Sequence, residues 1–344
     1  MKVLRLIDRG MFEVFETPVP ELIDDASALI KINSVGVCGS DIHYFADGRI
    51  GEQVIDYPFI IGHEASGYIE ELIGDDSKLN KGQLVAMDPA VSCGKCDQCL
   101  ANREHTCRNL KFIGAPGQLD GMMREYIVIP KKNLYTVPDD FTACEACFIE
   151  PLSVGAYAVK LADIIYEKSF AVLGCGPIGL SVIMSLMFDK HKNIFAADKL
   201  NYRRKIAEQL GSSFSVNPNE TDISEFIKSK ESLGIDVVFE CCGEQSALNT
   251  AVDILKPGGK LVVVGIPSTD FINFDINKLR RKEIIIINVR RQNNSMEKAI
   301  SIYKEFKSFS KKLITHSFNY TESQKAFETV SKYEYGVIKA VINF

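Results

Sequence analysis

Phe170-Ala171-Val172-Leu173-Gly174-Cys175-Gly176-Pro177-Ile178-Gly179 decides the fold of this chain. Four apolar residues predict a buried strand, and the apolar stretch Leu180–Phe188 predicts a helix directly after the turn. The first glycine permits the tight turn, and the second lets a pyrophosphate approach the backbone. The third lets helix and strand pack closely, with the anion at the helix N-terminus beside Pro177 and Ile178. The next apolar strand, Ile194–Ala197, ends at Asp198, about 20 residues past the motif, where an acidic side chain binds the adenine-ribose hydroxyls. That favours NAD(H), because a 2′-phosphate would meet a like charge. Lys199 and Arg203 are the argument for NADP(H); they read better as a solvated helix start, with Arg203 counted among the cofactor-binding residues.

Outward from this stretch, further apolar strands at Val237–Phe239, Leu261–Val264 and Ile284–Val289 alternate with polar helical segments such as Tyr202–Leu210 and Glu244–Leu255. Alternation of this kind builds a doubly wound parallel sheet, the Rossmann arrangement, here expected over residues 151–294. Residues 1–150 have a different texture. Short strands such as Ala28–Ile32 and Glu125–Ile129, broken by Gly and Pro, predict a compact β-barrel with long loops. The last stretch, Gly336–Phe344, reads as a strand with no helix after it, which suits a return to the first domain, so 295–344 is assigned there. A length of 344 residues fits two such domains.

Composition narrows the function classes. Hydrophobic residues at 46% and charged residues at 25% describe an ordinary globular chain. With 40 Lys+Arg against 45 Asp+Glu, the net charge of -5 offers no field for nucleic acid. No apolar run approaches a membrane span, and Met1-Lys2-Val3-Leu4-Arg5 is charged where a signal peptide would be apolar, so a cytoplasmic, membrane-free setting is expected.

That setting keeps thiols reduced, so the ten cysteines point to metal rather than disulfides. Cys93, Cys96, Cys99 and Cys107 stand in a polar segment, Ser92 to Arg108, with too little apolar content to fold by packing alone. Four thiolates offer zinc a closed tetrahedral shell that staples a loop and leaves no position for chemistry. A nucleic-acid zinc ribbon would need basic and aromatic neighbours, whereas Asp97, Gln98 and Glu104 occupy those places. A second set, Cys38, His63, Glu64 and Glu150, mixes thiolate, imidazole and carboxylate, which suits a zinc that keeps one exchangeable position. Beside a nicotinamide, its task would be Lewis-acid activation of a hydroxyl whose carbon gives up hydride. The chain should therefore hold two zinc ions, one catalytic and one structural.

Gly36-Val37-Cys38-Gly39-Ser40-Asp41-Ile42-His43-Tyr44, Gly48-Arg49-Ile50-Gly51, Gly62-His63-Glu64-Ala65-Ser66-Gly67 and Glu150-Pro151-Leu152-Ser153-Val154-Gly155 together resemble the zinc-dependent medium-chain dehydrogenases, and within them the polyol (sorbitol and xylitol) group. The resemblance spans essentially the whole chain. It implies a GroES-like catalytic β-barrel made from both chain ends, an inserted Rossmann domain, and a homo-oligomer, dimer or tetramer. It implies Cys38, His63 and Glu64 as zinc ligands, with Glu150 approaching zinc directly or through water. Asp41 would orient His63, Ser40 and His43 would relay a proton by way of the nicotinamide ribose, and Tyr44 and Arg291 would contact substrate. Gln292 stands where the polyol group usually carries an aromatic, which leaves room for a sugar acid as substrate.

The expected reaction is hydride transfer between NAD(H) and a secondary alcohol of a polyol, giving the ketose. A sugar phosphate or a threonine-like amino alcohol are alternative substrates. A non-catalytic sensor of NAD and zinc is a third reading, which would predict a damaged ligand set.

Overall fold

The strand Ser27–Gly36 is the spine of the first part of the chain. Its side chains are buried at most positions, as a strand covered on both faces must be. Along one edge it pairs antiparallel with Glu64–Leu72; along the other it pairs first with Tyr126–Pro130 and then with the C-terminal strand Lys339–Asn343. Leu84–Met87 and Leu134–Thr136 extend one side, and Ile314–Asn319 extends the other, to give a seven-stranded sheet. The register sets up everything that follows. Gly36 lies opposite Glu64 on one neighbour and opposite Val341 on the other, two residues before Cys38 and two residues after Lys339.

This computed structural model describes every residue except Ser268. It divides into two units, Met1–Glu150 with Ser310–Phe344, and Pro151–Phe309. The expected return of the last strand to the first domain is observed. The expected boundary at 295 differs: residues 295–309 belong to the second unit. The helix Met296–Glu305 buries Met296, Ala299, Ile302 and Tyr303, and Lys298 and Glu305 form ion pairs with Asp189 and Lys190 at 2.7 and 2.8 Å.

The second unit holds a six-stranded parallel sheet. Its spatial order is Phe214–Val216, Ile194–Ala197, Phe170–Leu173, Ile235–Glu240, Leu255–Val263, Ile285–Asn288. Taken in chain order this is 3-2-1-4-5-6, the doubly wound arrangement, with its topological switch beside Phe170–Leu173. The strand Phe214–Val216 is absent from the sequence reading. It is three residues long, and none of its residues is fully buried, so it lacks the apolar signature of its neighbours. Phe170–Leu173 and Ile194–Ala197 are buried throughout, as parallel strands covered on both faces require. Among the described residues no helix is long and apolar enough to cross a membrane.

Candidate active site and metal centres

Cys38, His63 and Glu64 come together from two places in the first unit, with their ligand atoms all within 4.8 Å of one another. Cys38 is the N-cap of the helix Gly39–Asp47, two residues past the central strand. His63 and Glu64 sit where the neighbouring strand begins. Gly36 is needed for this approach, because a Cβ there would lie 2.3 Å from Glu64 Oε2.

Two fully buried charges hold the trio in place. Asp41, with no exposed surface, accepts the Cys38 N–H on Oδ2 at 3.1 Å and the Gly62 N–H on Oδ1 at 3.2 Å. Its Oδ1 also lies 3.4 Å from His63 Nδ1. One carboxylate thus ties the turns that carry Cys38 and His63 and stands beside the imidazole, the placement that a support of a ligating histidine would have. The second charge is Lys339, whose ammonium donates to Glu64 Oε2 at 2.5 Å and to the Val37 carbonyl at 3.1 Å. Lys339 and Glu64 are 2% and 1% exposed.

The electrostatics around the trio suit a cation. Burial pulls His63 down, yet Asp41 and Cys38 hold it well above its ordinary value. Burial pushes the Glu150 carboxyl up to about 8, aided by repulsion from Glu64 and Asp88. Lys339 is pulled down by burial but held above its ordinary value by Glu64 and Cys38. A divalent cation would compensate the acids gathered here, so the donor set fits zinc with an open position. Glu150 is buried at the start of the helix Ile149–Leu161 and lies outside the 4.8 Å trio. Ser40 donates its hydroxyl to Cys38 Sγ at 3.3 Å. His43, one turn further along the same helix and about one-third exposed, has Nδ1 3.3 Å from Asp47 Oδ2. Tyr44 is buried and donates its hydroxyl to Gln53 Oε1 at 3.2 Å.

The four-cysteine loop is a second cluster. Its sulfur separations are 3.5 Å for Cys96–Cys99, 3.8 Å for Cys96–Cys107 and 4.0 Å for Cys93–Cys99. Zn–S bonds of about 2.3 Å in a tetrahedron require sulfurs about 3.8 Å apart, so the shell fits zinc. Backbone hydrogen bonds, first from Lys95, bring the Cys93 thiol down to about 6, whereas burial pushes Cys99 up to about 12.

In the second unit, Gly174 adopts φ +94°, and a Cβ on Gly179 would lie 1.8 Å from the Gly174 carbonyl oxygen. Both glycines are therefore dictated by the turn. Pro177 opens the helix Pro177–Phe188, with Ile178 next. Asp198, 8% exposed, accepts the Cys175 N–H at 2.8 Å on Oδ2 and the Leu200 N–H at 2.7 Å on Oδ1. It braces the glycine loop as well as facing the end of its strand. Arg203 Nη1 lies 3.9 Å from Asp198 Oδ2 and would be 3.5 Å from a Cβ on Gly176. Arg291 has φ +56°, and Gln292, 5% exposed, accepts the Ser295 N–H on its Oε1 at 3.1 Å.

Residues 24–139 match the model of the alcohol dehydrogenase GroES-like domain, and residues 177–305 match that of the zinc-binding dehydrogenases. Sorbitol dehydrogenase of Bacillus subtilis is 32% identical over 99% of this chain and 97% of its own length. The chain belongs to the zinc-dependent medium-chain dehydrogenases. L-idonate 5-dehydrogenase of Vitis vinifera is 31% identical over 88% of this chain and 84% of its own. A solved Escherichia coli dehydrogenase of unknown specificity superposes with a TM-score of 0.92 at 29% identity, covering 99% of this chain and 98% of its own.

As a medium-chain dehydrogenase this is an oxidoreductase of small molecules that uses zinc and a nicotinamide cofactor, and it has a GroES-like domain and a Rossmann-like one. The residue that sequence reasoning missed is Lys339. Its signal was present: a lone charge inside the apolar run Val337-Ile338-Lys339-Ala340-Val341-Ile342 belongs on a solvent edge unless it is paired inside.

Proposed function

We propose that this dehydrogenase oxidises a secondary alcohol of a five- or six-carbon polyol to the ketose with NAD as acceptor. The observation that carries this reading is the convergence of Cys38, His63 and Glu64 on one point. These three would hold the catalytic zinc, with Glu150 as the nearby carboxylate, and Cys93, Cys96, Cys99 and Cys107 would hold a structural zinc. When bound, zinc supplies a Lewis acid for the substrate hydroxyl and the nicotinamide supplies a hydride acceptor.

The chain's own residues do the remaining work. Ser40, its hydroxyl already beside Cys38 Sγ, receives the substrate proton, and His43, partly exposed, passes it toward solvent. Asp41 keeps the His63 ring in its ligating orientation. Gly174, Gly176, Pro177, Ile178 and Gly179 receive the pyrophosphate, Asp198 binds the adenine ribose, and Arg203 lies beside it. Tyr44 and Arg291 are the proposed substrate contacts.

A sugar acid is the second reading. It is favoured by the similarity to L-idonate 5-dehydrogenase and by the charge of Arg291. The protein is proposed to work in the cytoplasm as a homo-oligomer. The strand Ile285–Asn288 ends its sheet with Ile285 51% and Ile286 36% exposed, an apolar edge suited to pairing with a second copy. NADH formation measured across sorbitol, xylitol, ribitol, galactitol, threonine, 2-propanol and several sugar acids tests the reading. Far higher catalytic efficiency on a polyol than on 2-propanol supports it; equal efficiency on all of them overturns it.

A further inference from the structure

We propose that Glu244 sets coenzyme choice together with Asp198, by keeping the Lys199 ammonium paired and so denying it to a 2′-phosphate. This rests on the reading of Asp198 as the residue that binds the adenine ribose of NAD.

Three cations crowd Asp198: Lys199, Arg203 and Arg204. Cations so placed are what a phosphate dianion recruits. Each is engaged. Arg204 donates from Nη1 to the Asp198 carbonyl at 2.8 Å and the Lys199 carbonyl at 3.1 Å, and from Nη2 to Asn201 Oδ1 at 3.3 Å. Arg203 stands 3.9 Å from the Asp198 carboxylate. Lys199 donates to both oxygens of Glu244, each at 2.7 Å.

Glu244 is presented by a braced turn. The strand Ile235–Glu240 lies next to Phe170–Leu173 at the sheet's topological switch. Its last residue, Glu240, fully buried, accepts the Cys242 N–H at 2.8 Å and the Gly243 N–H at 2.7 Å on Oε1. These bonds brace the turn that delivers Glu244 just ahead of the helix Gln245–Ile254. Glu244 makes no side-chain cap to that helix, so the carboxylate is not needed to start it.

Removing Asp198 alone would leave a second carboxylate in place and Lys199 still captured. Both side chains of the pair are about half exposed, at 49% and 45%, so the pair is weak enough to be exchanged yet close enough to set the local charge.

Equilibrium binding of NADH and NADPH, measured by calorimetry on the purified full chain, tests this. Glu244→Gln is expected to improve NADPH affinity relative to NADH by roughly tenfold at low salt, with the gain shrinking as salt rises. Adding Lys199→Met to Glu244→Gln should cancel the gain, which a merely structural role for Glu244 would not require. An affinity ratio unchanged by Glu244→Gln, or a gain that survives Lys199→Met, overturns the proposal. A wild type that binds NADPH more tightly than NADH overturns the Asp198 reading beneath it; an NADH-preferring wild type indifferent to Glu244→Gln removes only this inference.

Discussion

The two cysteine-bearing clusters solve opposite problems. The four-cysteine loop draws every donor from one short stretch, Cys93 to Cys107, and its surrounding charges are at the surface, as in the Arg108–Asp97 pair with side chains 68% and 52% exposed. The trio Cys38, His63 and Glu64 is assembled by strand register, and its supports Asp41 and Lys339 are buried. A local cluster can be read from spacing. A cluster made by register depends on distant residues, and its charges are far more costly to disturb.

The largest expected difference is between ligand substitutions. Cys38→Ser should abolish turnover and leave the fold in place, whereas Cys96→Ser should lower Tm and solubility because a thiolate shell loses a member. Thermal melts beside NADH assays separate the two. A Cys96→Ser protein as stable as wild type would remove the contrast.

Next come the supports. Lys339→Met leaves Glu64 buried beside Cys38 without its cation, and breaking a buried pair on one side costs about 3–5 kcal/mol. Because zinc can take over the compensation of Glu64, the loss should be larger in zinc-free than in zinc-loaded protein. Equal losses in the two states would show that Lys339 does not answer to the metal site. Asp41→Ala should weaken zinc retention against a chelator by about 10–100-fold.

The pH response sharpens the same contrast. In the zinc-free protein His63 and Glu150 both bind protons more tightly folded than unfolded, His63 through Asp41 and Cys38, Glu150 through burial. Stability is fully present below the ordinary values of these groups and is lost as pH rises through their raised ones, for Glu150 between about 4.5 and about 8. The zinc-free melt should therefore fall as pH rises across neutrality, and zinc, which displaces the proton from His63, should flatten that slope. A zinc-free protein that gains stability over this interval would contradict the arrangement.

The smallest effects lie at the periphery. His43→Ala should slow oxidation by up to roughly 10²-fold near neutral pH, and less at high pH where solvent supplies base. Arg108→Ala, in the exposed pair of the cysteine loop, should leave Tm close to wild type.

What was legible in the sequence follows the same division. The glycine turn, Asp198 and the four cysteines carry their information within a few residues, because a tight turn, a helix N-terminus and a tetrahedral shell are local constraints. Five of the six Rossmann strands announced themselves as apolar runs, while Phe214–Val216 did not because its residues stay partly exposed. The partnership of Lys339 with Glu64 was invisible because it depends on Gly36 pairing with Glu64 on one side and Val341 on the other. The boundary near 295 was misplaced because an amphipathic helix shows which face it buries, not against which domain.

Zinc content, measured together with NADH formation from sorbitol and xylitol, tests the central claim most directly. The account predicts two zinc ions per chain in the wild-type protein, and one per chain with no NADH formed in Cys38→Ser. A Cys38→Ser protein that keeps both ions, or that oxidises the polyol at the wild-type rate, would contradict it.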